Sequence, residues 1–171
     1  MTKIIISVAI ISVLGFSSAK AQQAVFLVRH GEDVRSKESP DRLLTEAGHQ
    51  RAALLARLLK DTGINVVFTS TLQRTIDTAA PLAKALNLEP QPLPQLTTKF
   101  EQKDMEEFAA LLRSKHASDT VLFVGHSNTV PALLKALGHS TEIKIPETEY
   151  DNLFVLIPKS GGPPTVLRLR Y

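Results

Sequence analysis

The sequence contains no cysteine among its 171 residues, and this absence excludes two features that exported proteins often carry. No disulfide can form, and no N-terminal cysteine can hold a lipid anchor. The sequence also lacks a large excess of either charge, because its 20 basic residues are nearly balanced by 17 acidic ones. A formal net charge of +3 gives no support for a nucleic-acid partner, which requires a strongly basic surface.

Long apolar runs are scarce as well. The run at residues 4–16 is too short to span a bilayer comfortably, which takes about 20 residues. It follows Lys3 and precedes the small residues of 19–21, an arrangement typical of a secretory signal. We therefore predict a cleaved leader at 1–21 and one periplasmic or secreted domain at 22–171, without stable membrane insertion. An uncleaved anchor and a buried first strand remain the alternatives.

Short apolar runs alternate with amphipathic segments over the rest of the chain, which predicts an α/β sandwich. The predicted strands are 24–28, 64–69, 121–124, 153–157 and 165–169, with a short edge strand within 88–96. The predicted helices begin at Thr45, at Ser70 or Thr71, at Asp104 and near Pro131, and end near Gly63, Leu86, Lys115 and Leu137. Pro81 predicts a kink or break in the second helix. The last two strands read as a hairpin, so part of the sheet is antiparallel.

The first buried strand stops abruptly at Arg29, His30 and Gly31. In open α/β sheets, ligands bind at the carboxyl ends of the strands. A histidine there can act as a nucleophile through one ring nitrogen if a hydrogen bond holds the other. The arginine offers a planar fork of donors that suits a phosphate group. Three residues alone are a weak signal, since chance copies of such a motif are common.

Two further strands end in polar residues of the same kind. The second strand runs into the segment 69–75, which carries Arg74, and the third ends at Gly125 and His126. Because the ends of strands in one sheet converge, we expect two histidines and two arginines at one edge. Phosphoryl transfer is the chemistry that uses such a set, with one histidine attacking phosphorus and the other groups binding the charged oxygens.

Four motifs resemble those of the histidine phosphatase superfamily, which includes the cofactor-dependent phosphoglycerate mutases. They are residues 28–32 (VRHGE), 44–50 (LTEAGHQ), 68–79 (FTSTLQRTIDTA) and 124–129 (VGHSNT). Their order and spacing agree with the family over nearly all of 22–171. The resemblance implies a three-layer α/β sandwich of the phosphoglycerate mutase type, with a mostly parallel mixed sheet and helices on both faces.

The resemblance also implies roles for particular residues. His30 is the implied phosphorylated nucleophile, and the implied phosphate pocket consists of Arg29, Arg74 and His126. Ser127 follows the second histidine where the acid-phosphatase branch has aspartate, which favours the mutase-like branch. Asn128 either orients the pocket or serves the first turn of the next helix, and we favour the second. The chain lacks the insertions with which full-size mutases enclose their substrate, which argues against mutase activity.

A general acid is needed to protonate the leaving oxygen. Glu101 lies at about the right distance after Arg74, in a segment that we expect to be a loop, although its local sequence departs from the family pattern. Asp104 competes with it, but Asp104 is expected to start a helix, where the helix dipole favours the charged form. An acidic cluster at Glu147, Glu149 and Asp151 touches the site, binds a cation or lies in a solvated loop, and we favour the loop.

The sequence thus predicts a phosphomonoester hydrolase with a phosphohistidine intermediate. The alternatives are a module that binds a phosphorylated ligand without turnover and a mutase-type phosphotransferase. The expected partner is a small phosphorylated substrate or a phosphoprotein, and no membrane or nucleic-acid partner is expected. No ligand set at metal spacing occurs, and we expect neither a metal nor a cofactor.

Overall fold

The computed structural model describes residues 24–34, 39 and 41–171, so the predicted leader lies outside the described residues. One sheet and four helices make up the described part of the chain. In chain order the elements are β1 Ala24–Arg29, α1 Glu46–Leu59, β2 Val66–Ser70, α2 Gln73–Leu86, β3 Gln91–Leu93, α3 Gln102–Ser114, β4 Thr120–Gly125, α4 Thr129–Ala136, β5 Asn152–Ile157 and β6 Thr165–Arg170.

The strands are ordered β3-β2-β4-β1-β5-β6, which places β1 and β4 in the middle of the sheet. β1 pairs in parallel with β4, and β2 pairs in parallel with both β4 and β3. β5 runs antiparallel to β1 and to β6, as the predicted hairpin requires. The carboxyl ends of β1, β2 and β4 therefore lie side by side at one edge of the sheet.

Each face of the sheet has its own apolar core. Because side chains alternate along a strand, Val25 and Leu27 of β1 face one core while Phe26 and Val28 face the other. α3 and α4 cover the first face, and α1 and α2 cover the second. The structure therefore confirms the predicted three-layer sandwich with a mixed sheet.

Three helix boundaries differ from the sequence prediction. α1 ends at Leu59 rather than near Gly63. α2 begins at Gln73 rather than after a Ser70 or Thr71 cap, because Ser70 is the last residue of β2. The same helix continues through Pro81 without a break. α3 begins at Gln102, earlier than the predicted start at Asp104.

Within the described part of the chain, none of the helices has the length and apolar character needed to cross a membrane.

Candidate active site

The end of β1 delivers two polar side chains into the interior. Arg29 pairs with Gly125 of β4, and the His30 N–H continues the ladder by donating to the Gly125 carbonyl at 2.9 Å. Both side chains are almost fully buried, and His30 is 2% exposed. The buried strands on either side thus fix the position of the histidine without help from a flexible loop.

Hydrogen bonds assign the two ring nitrogens of His30. Nδ1 lies 2.7 Å from the Gly31 carbonyl oxygen, which can only accept, so Nδ1 carries the proton. Nε2 therefore has the lone pair, and it accepts a hydrogen bond from Arg74 Nε at 3.1 Å. Burial lowers the pKa of His30 to about 3, and the positive charges of Arg74, Arg29 and Arg42 act in the same direction. His30 is thus a neutral imidazole with its nucleophilic nitrogen facing arginine.

Close backbone packing holds this imidazole from behind. The Gly31 N–H donates to Thr78 Oγ1 of α2 at 2.9 Å. A Cβ atom on Gly31 would lie 2.8 Å from the Gly48 carbonyl oxygen, and one on Gly48 would lie 2.2 Å from the Glu32 carbonyl oxygen. The strand end and the first turn of α1 can approach this closely only because both positions lack a side chain.

Arg74 enters the site from the first turn of α2 and is buried. Its Nε atom also lies 4.0 Å from Oδ2 of Asp33, a carboxylate that is itself buried. Arg42 Nε lies 2.8 Å from the same oxygen, so Asp33 stands between two arginines. Burial lowers the pKa of Arg74, and the neighbouring Arg42 lowers it further, while Asp33 raises it. The sequence analysis did not single out Asp33, which directly follows the VRHGE motif.

The end of β4 brings the second histidine to within 5.3 Å of the first, measured between ring centroids. His126 Nε2 lies 3.0 Å from Ser70 Oγ at the end of β2, and the His126 N–H donates to Thr129 Oγ1. Burial lowers the pKa of His126 to about 2, and the charges of His30 and Arg74 contribute in the same direction. Its Nδ1 atom is buried and has no hydrogen-bond partner among the described residues.

Arg29 is bound to the loop that precedes β5. Its Nη1 donates to the carbonyl oxygens of Pro146 and Glu149, at 3.0 and 3.1 Å. Its Nη2 donates to Glu147 Oε2 at 3.0 Å, and its guanidinium carbon lies 4.0 Å from the centroid of the Tyr150 ring. Glu147 lies in an exposed loop, as the favoured interpretation has it, but its carboxylate also reaches the site. Glu149 and Asp151 instead pair with arginines of β6.

The residues after His126 support the mouth of the site. Ser127 Oγ donates to Glu147 Oε1 at 2.7 Å. Asn128 Nδ2 donates to the carbonyl oxygen of Thr98 at 2.9 Å and so fastens the segment between β3 and α3. The side chain of Asn128 makes no capping bond to the first turn of α4, which was one of the two alternatives for this residue.

These side chains line one pocket of about 380 Å³. Its lining residues are Arg29, His30, Arg42, Arg74, Thr98, His126, Ser127, Asn128 and Glu147. We call the buried set, Arg29, His30, Arg74 and His126, the floor. We call Arg42, Thr98, Ser127, Asn128 and Glu147 the rim. The structure thus brings together six of the seven site residues predicted from the sequence, and their chemical roles stay predictions.

Glu101, the seventh, does not line the pocket. It is the N-cap residue of α3 rather than part of a loop, and its side chain is 72% exposed and paired with Lys103. Its backbone N–H donates to Asp104 Oδ2 at 2.9 Å, so the two candidate acids belong to the same helix start. A carboxylate three residues after an N-cap is a helix-start signal that the sequence itself carried.

The comparisons with known proteins agree with this geometry. Residues 25–98 match the family model described as histidine phosphatase superfamily (branch 1). This part of the chain is thus similar to the histidine phosphatase superfamily. The superfamily model covers the first two strand ends of the site and the helices that follow them.

Two curated relatives match this chain over short stretches. Fructose-2,6-bisphosphatase TIGAR B of Danio rerio is 42% identical over 62 residues, which cover 33% of this chain and 24% of that protein. The probable phosphoglycerate mutase GpmB of Yersinia enterocolitica is 40% identical over 70 residues, which cover 38% of this chain and 33% of that protein. The matches thus span about a quarter and a third of the two relatives.

A solved structure extends the likeness to the whole fold. The protein histidine phosphatase SixA, solved as a complex with tungstate, superposes with a TM-score of 0.71 at 24% identity. The match covers 86% of this chain and 96% of that one, and it supports the phosphoglycerate mutase-like fold expected for the superfamily. Among the described residues, no group of three or more histidine and carboxylate side chains is arranged to hold a metal ion.

Proposed function

We propose that this chain is a phosphomonoester hydrolase that works through a phosphohistidine intermediate on His30. The observation that carries the proposal is the protonation state of this side chain. Its Nδ1–H is held by the Gly31 carbonyl, and its Nε2 is an unprotonated nucleophile in a pocket lined by three arginines. A neutral imidazole that faces several cations suits attack on an anionic phosphorus centre.

The proposed reaction has two steps. In the first, a phosphoryl oxygen replaces His30 Nε2 as the acceptor of the Arg74 hydrogen bond, which frees the lone pair to attack phosphorus. Arg29, Arg42 and His126 surround the same pocket and stabilise the charge on the phosphoryl oxygens. In the second step, water attacks the phosphohistidine and releases phosphate, which returns His30 to its starting form.

The substrate class remains broad within this proposal. The three relatives are named for a sugar bisphosphate, a phosphoglycerate and a histidine phosphoprotein, which supports a phosphorylated metabolite or phosphoprotein here. The rim is half-buried or exposed, so the pocket mouth admits a bulky leaving group. A sugar phosphate, a cell-envelope phosphate and a phosphohistidine protein all fit such a mouth, and a screen of phosphorylated metabolites separates them.

A non-catalytic phosphate-binding module is the second candidate. The neutral, oriented nucleophile favours an enzyme, because a binder has no use for an unprotonated Nε2. A mutase-type phosphotransferase would need the same histidine. An assay that measures inorganic phosphate released and phosphoryl groups transferred to another hydroxyl distinguishes it from a hydrolase.

The test uses p-nitrophenyl phosphate, whose good leaving group needs little acid catalysis. We expect the parent protein to release phosphate and to form an acid-labile, base-stable phosphoenzyme. His30→Ala should abolish both while still binding vanadate through the arginines, because the covalent path is lost and the anion site is kept. His49→Ala, an exposed histidine on α1, is the matched control and should behave as the parent does. Near-normal turnover by His30→Ala would contradict the proposal.

Export is a further proposal, motivated by the sequence of residues 1–21. N-terminal sequencing of the protein from its native host should give Gln22 as the first residue. A start at Met1 would contradict it.

A further inference from the structure

The rim of the pocket contains a carboxylate that the proposed reaction has not used. Among the residues that the structure describes, Glu147 is the one carboxylate in the pocket lining. Glu101 and Asp104 are both tied to the start of α3 and do not line the pocket. Of these three candidates for an acid, only Glu147 shares a cavity with His30.

Glu147 is positioned by residues of the same pocket. Its Oε2 accepts from Arg29 Nη2 at 3.0 Å, and its Oε1 accepts from Ser127 Oγ at 2.7 Å. Arg29 Nη1 also holds the carbonyl oxygens of Pro146 and Glu149, which flank Glu147 in the chain. The arginine that belongs to the floor therefore also fixes the loop that carries the carboxylate.

The depths of the two side chains suit an in-line displacement. His30 is 2% exposed and lies on the floor, whereas the side chain of Glu147 is 69% exposed and lies on the rim. In phosphoryl transfer the attacking and leaving atoms are roughly in line through phosphorus. A nucleophile that attacks from the floor therefore drives the leaving oxygen towards the rim, where Glu147 stands.

The same contacts explain how the carboxylate could become an acid. In the free protein, the Glu147 carboxylate is paired with Arg29. A phosphate dianion that binds Arg29 competes for Nη2 and places a like charge beside the carboxylate, which favours the protonated form. Because Glu147 is exposed, it can take that proton from solvent. Substrate binding would thus promote protonation of the Glu147 carboxylate.

We propose that Glu147 is the general acid that protonates the leaving oxygen, an inference that rests on the proposed hydrolase function. His30 Nε2 forms a bond to phosphorus as the ester P–O bond breaks, and the leaving oxygen takes its proton from the Glu147 carboxyl group. In the second step the Glu147 carboxylate accepts a proton from the attacking water. The P–N bond then breaks, and its electron pair returns to His30 Nε2.

Dependence on the leaving group tests this role. Glu147→Gln keeps the size of the side chain but cannot donate an acidic proton. We expect it to lower kcat/KM for an alkyl phosphate by about 100-fold or more, within the range of general acid catalysis, and to lower kcat/KM for p-nitrophenyl phosphate by less than about threefold. Equal effects on both substrates would overturn the proposal.

Two other glutamates provide the comparison. Glu142→Gln changes an exposed carboxylate that pairs with Lys144 in the segment between α4 and β5, and it should leave both substrates unaffected. Glu101→Gln tests the acid predicted from the sequence. If Glu101→Gln showed the loss that depends on the leaving group, and Glu147→Gln did not, the acid would be Glu101 and the proposal would be overturned.

Anion binding separates acid catalysis from a structural role. Removing the charge of Glu147 removes a competitor for Arg29, so Glu147→Gln should bind vanadate at least as tightly as the parent does. Vanadate binding weakened by about tenfold would show that Glu147 only positions Arg29, and would overturn the proposal.

The phosphoenzyme assay separates failure of this inference from failure of the proposed function. If the parent forms no phosphohistidine from p-nitrophenyl phosphate, the hydrolase proposal itself fails. If the parent forms it, and Glu147→Gln keeps full activity on the alkyl phosphate, only the acid assignment fails.

Discussion

The floor and the rim of the pocket differ in what holds their side chains in place. The floor residues are almost fully buried, and all four end or follow a strand or lie in the first turn of a helix that packs on the sheet. The rim residues are half-buried or exposed and lie mostly in loops. Burial gives the floor neutral imidazoles and closely placed arginines, whereas the rim keeps groups that can move and exchange protons with water. The proposed nucleophile and the proposed acid thus have the surroundings that their tasks require.

The largest effect is expected from removing a floor arginine, and removal of a rim arginine provides the comparison. Arg74→Ala should lower kcat/KM by at least about 100-fold, or about 2.7 kcal/mol, because a buried cation next to the reacting atoms is lost. Arg74→Lys should restore little, since lysine cannot reproduce the planar fork. Arg42→Ala should cost about tenfold, because its 28%-exposed side chain is partly screened by solvent.

Steady-state kinetics with p-nitrophenyl phosphate measure both arginines under the same conditions. A loss for Arg42→Ala that equals or exceeds the loss for Arg74→Ala would mean that phosphate binds at the rim. The distinction between floor and rim would then not hold.

The second expected effect concerns the backbone behind the floor. Gly48→Ala should lower the free energy of unfolding by about 2 kcal/mol, because the new Cβ would lie 2.2 Å from the Glu32 carbonyl oxygen. Gly162→Ala is the matched control, since a Cβ there meets nothing within 4 Å. Chemical denaturation measures both. A Gly48→Ala protein as stable as the control would show that the strand end and α1 can separate without cost.

The third expected effect is the pH dependence that the floor histidines give to stability. Burial lowers the pKa of His30 to about 3 and that of His126 to about 2, whereas the unfolded chain takes up protons near the ordinary value of 6.5. Their contribution is therefore complete above pH 6.5 and is lost as the pH falls below it. The loss is at most about 1.4 kcal/mol per pH unit for each histidine.

Denaturation at pH 7, 6 and 5 tests this dependence. A double variant with His30→Gln and His126→Gln should lose less stability over the same range than the parent does. Equal losses in the two proteins would mean that water reaches the floor, and that the histidines there are not kept neutral by burial.

Most of the fold and most of the floor could be predicted from the sequence, because local signals determine both. Short apolar runs indicated the strands, and Arg29, His30 and His126 lie where two of those runs stop. The start of α2 was misplaced because a serine at the end of a strand looks like a helix cap. The start of α3 was placed too late because Asp104, the N3 residue of its capping box, was taken as the first residue. Pro81 did not break α2, since the packing of the nearby Ala79 and Leu82 in the core against the sheet outweighs one missing hydrogen bond.

The sequence by itself determined which residues could reach the sheet edge, because strand ends follow from apolar runs and their order along the chain. Only the tertiary structure decided which side chains meet above that edge. Glu147 is separated from Arg29 by 118 positions and from Ser127 by 20, and no local pattern links them. Glu101 has the better position in the sequence, yet the packing of α3 keeps it at a helix cap. Rim contacts join loops that are distant in the chain, so they depend on how the layers pack and not on local signals.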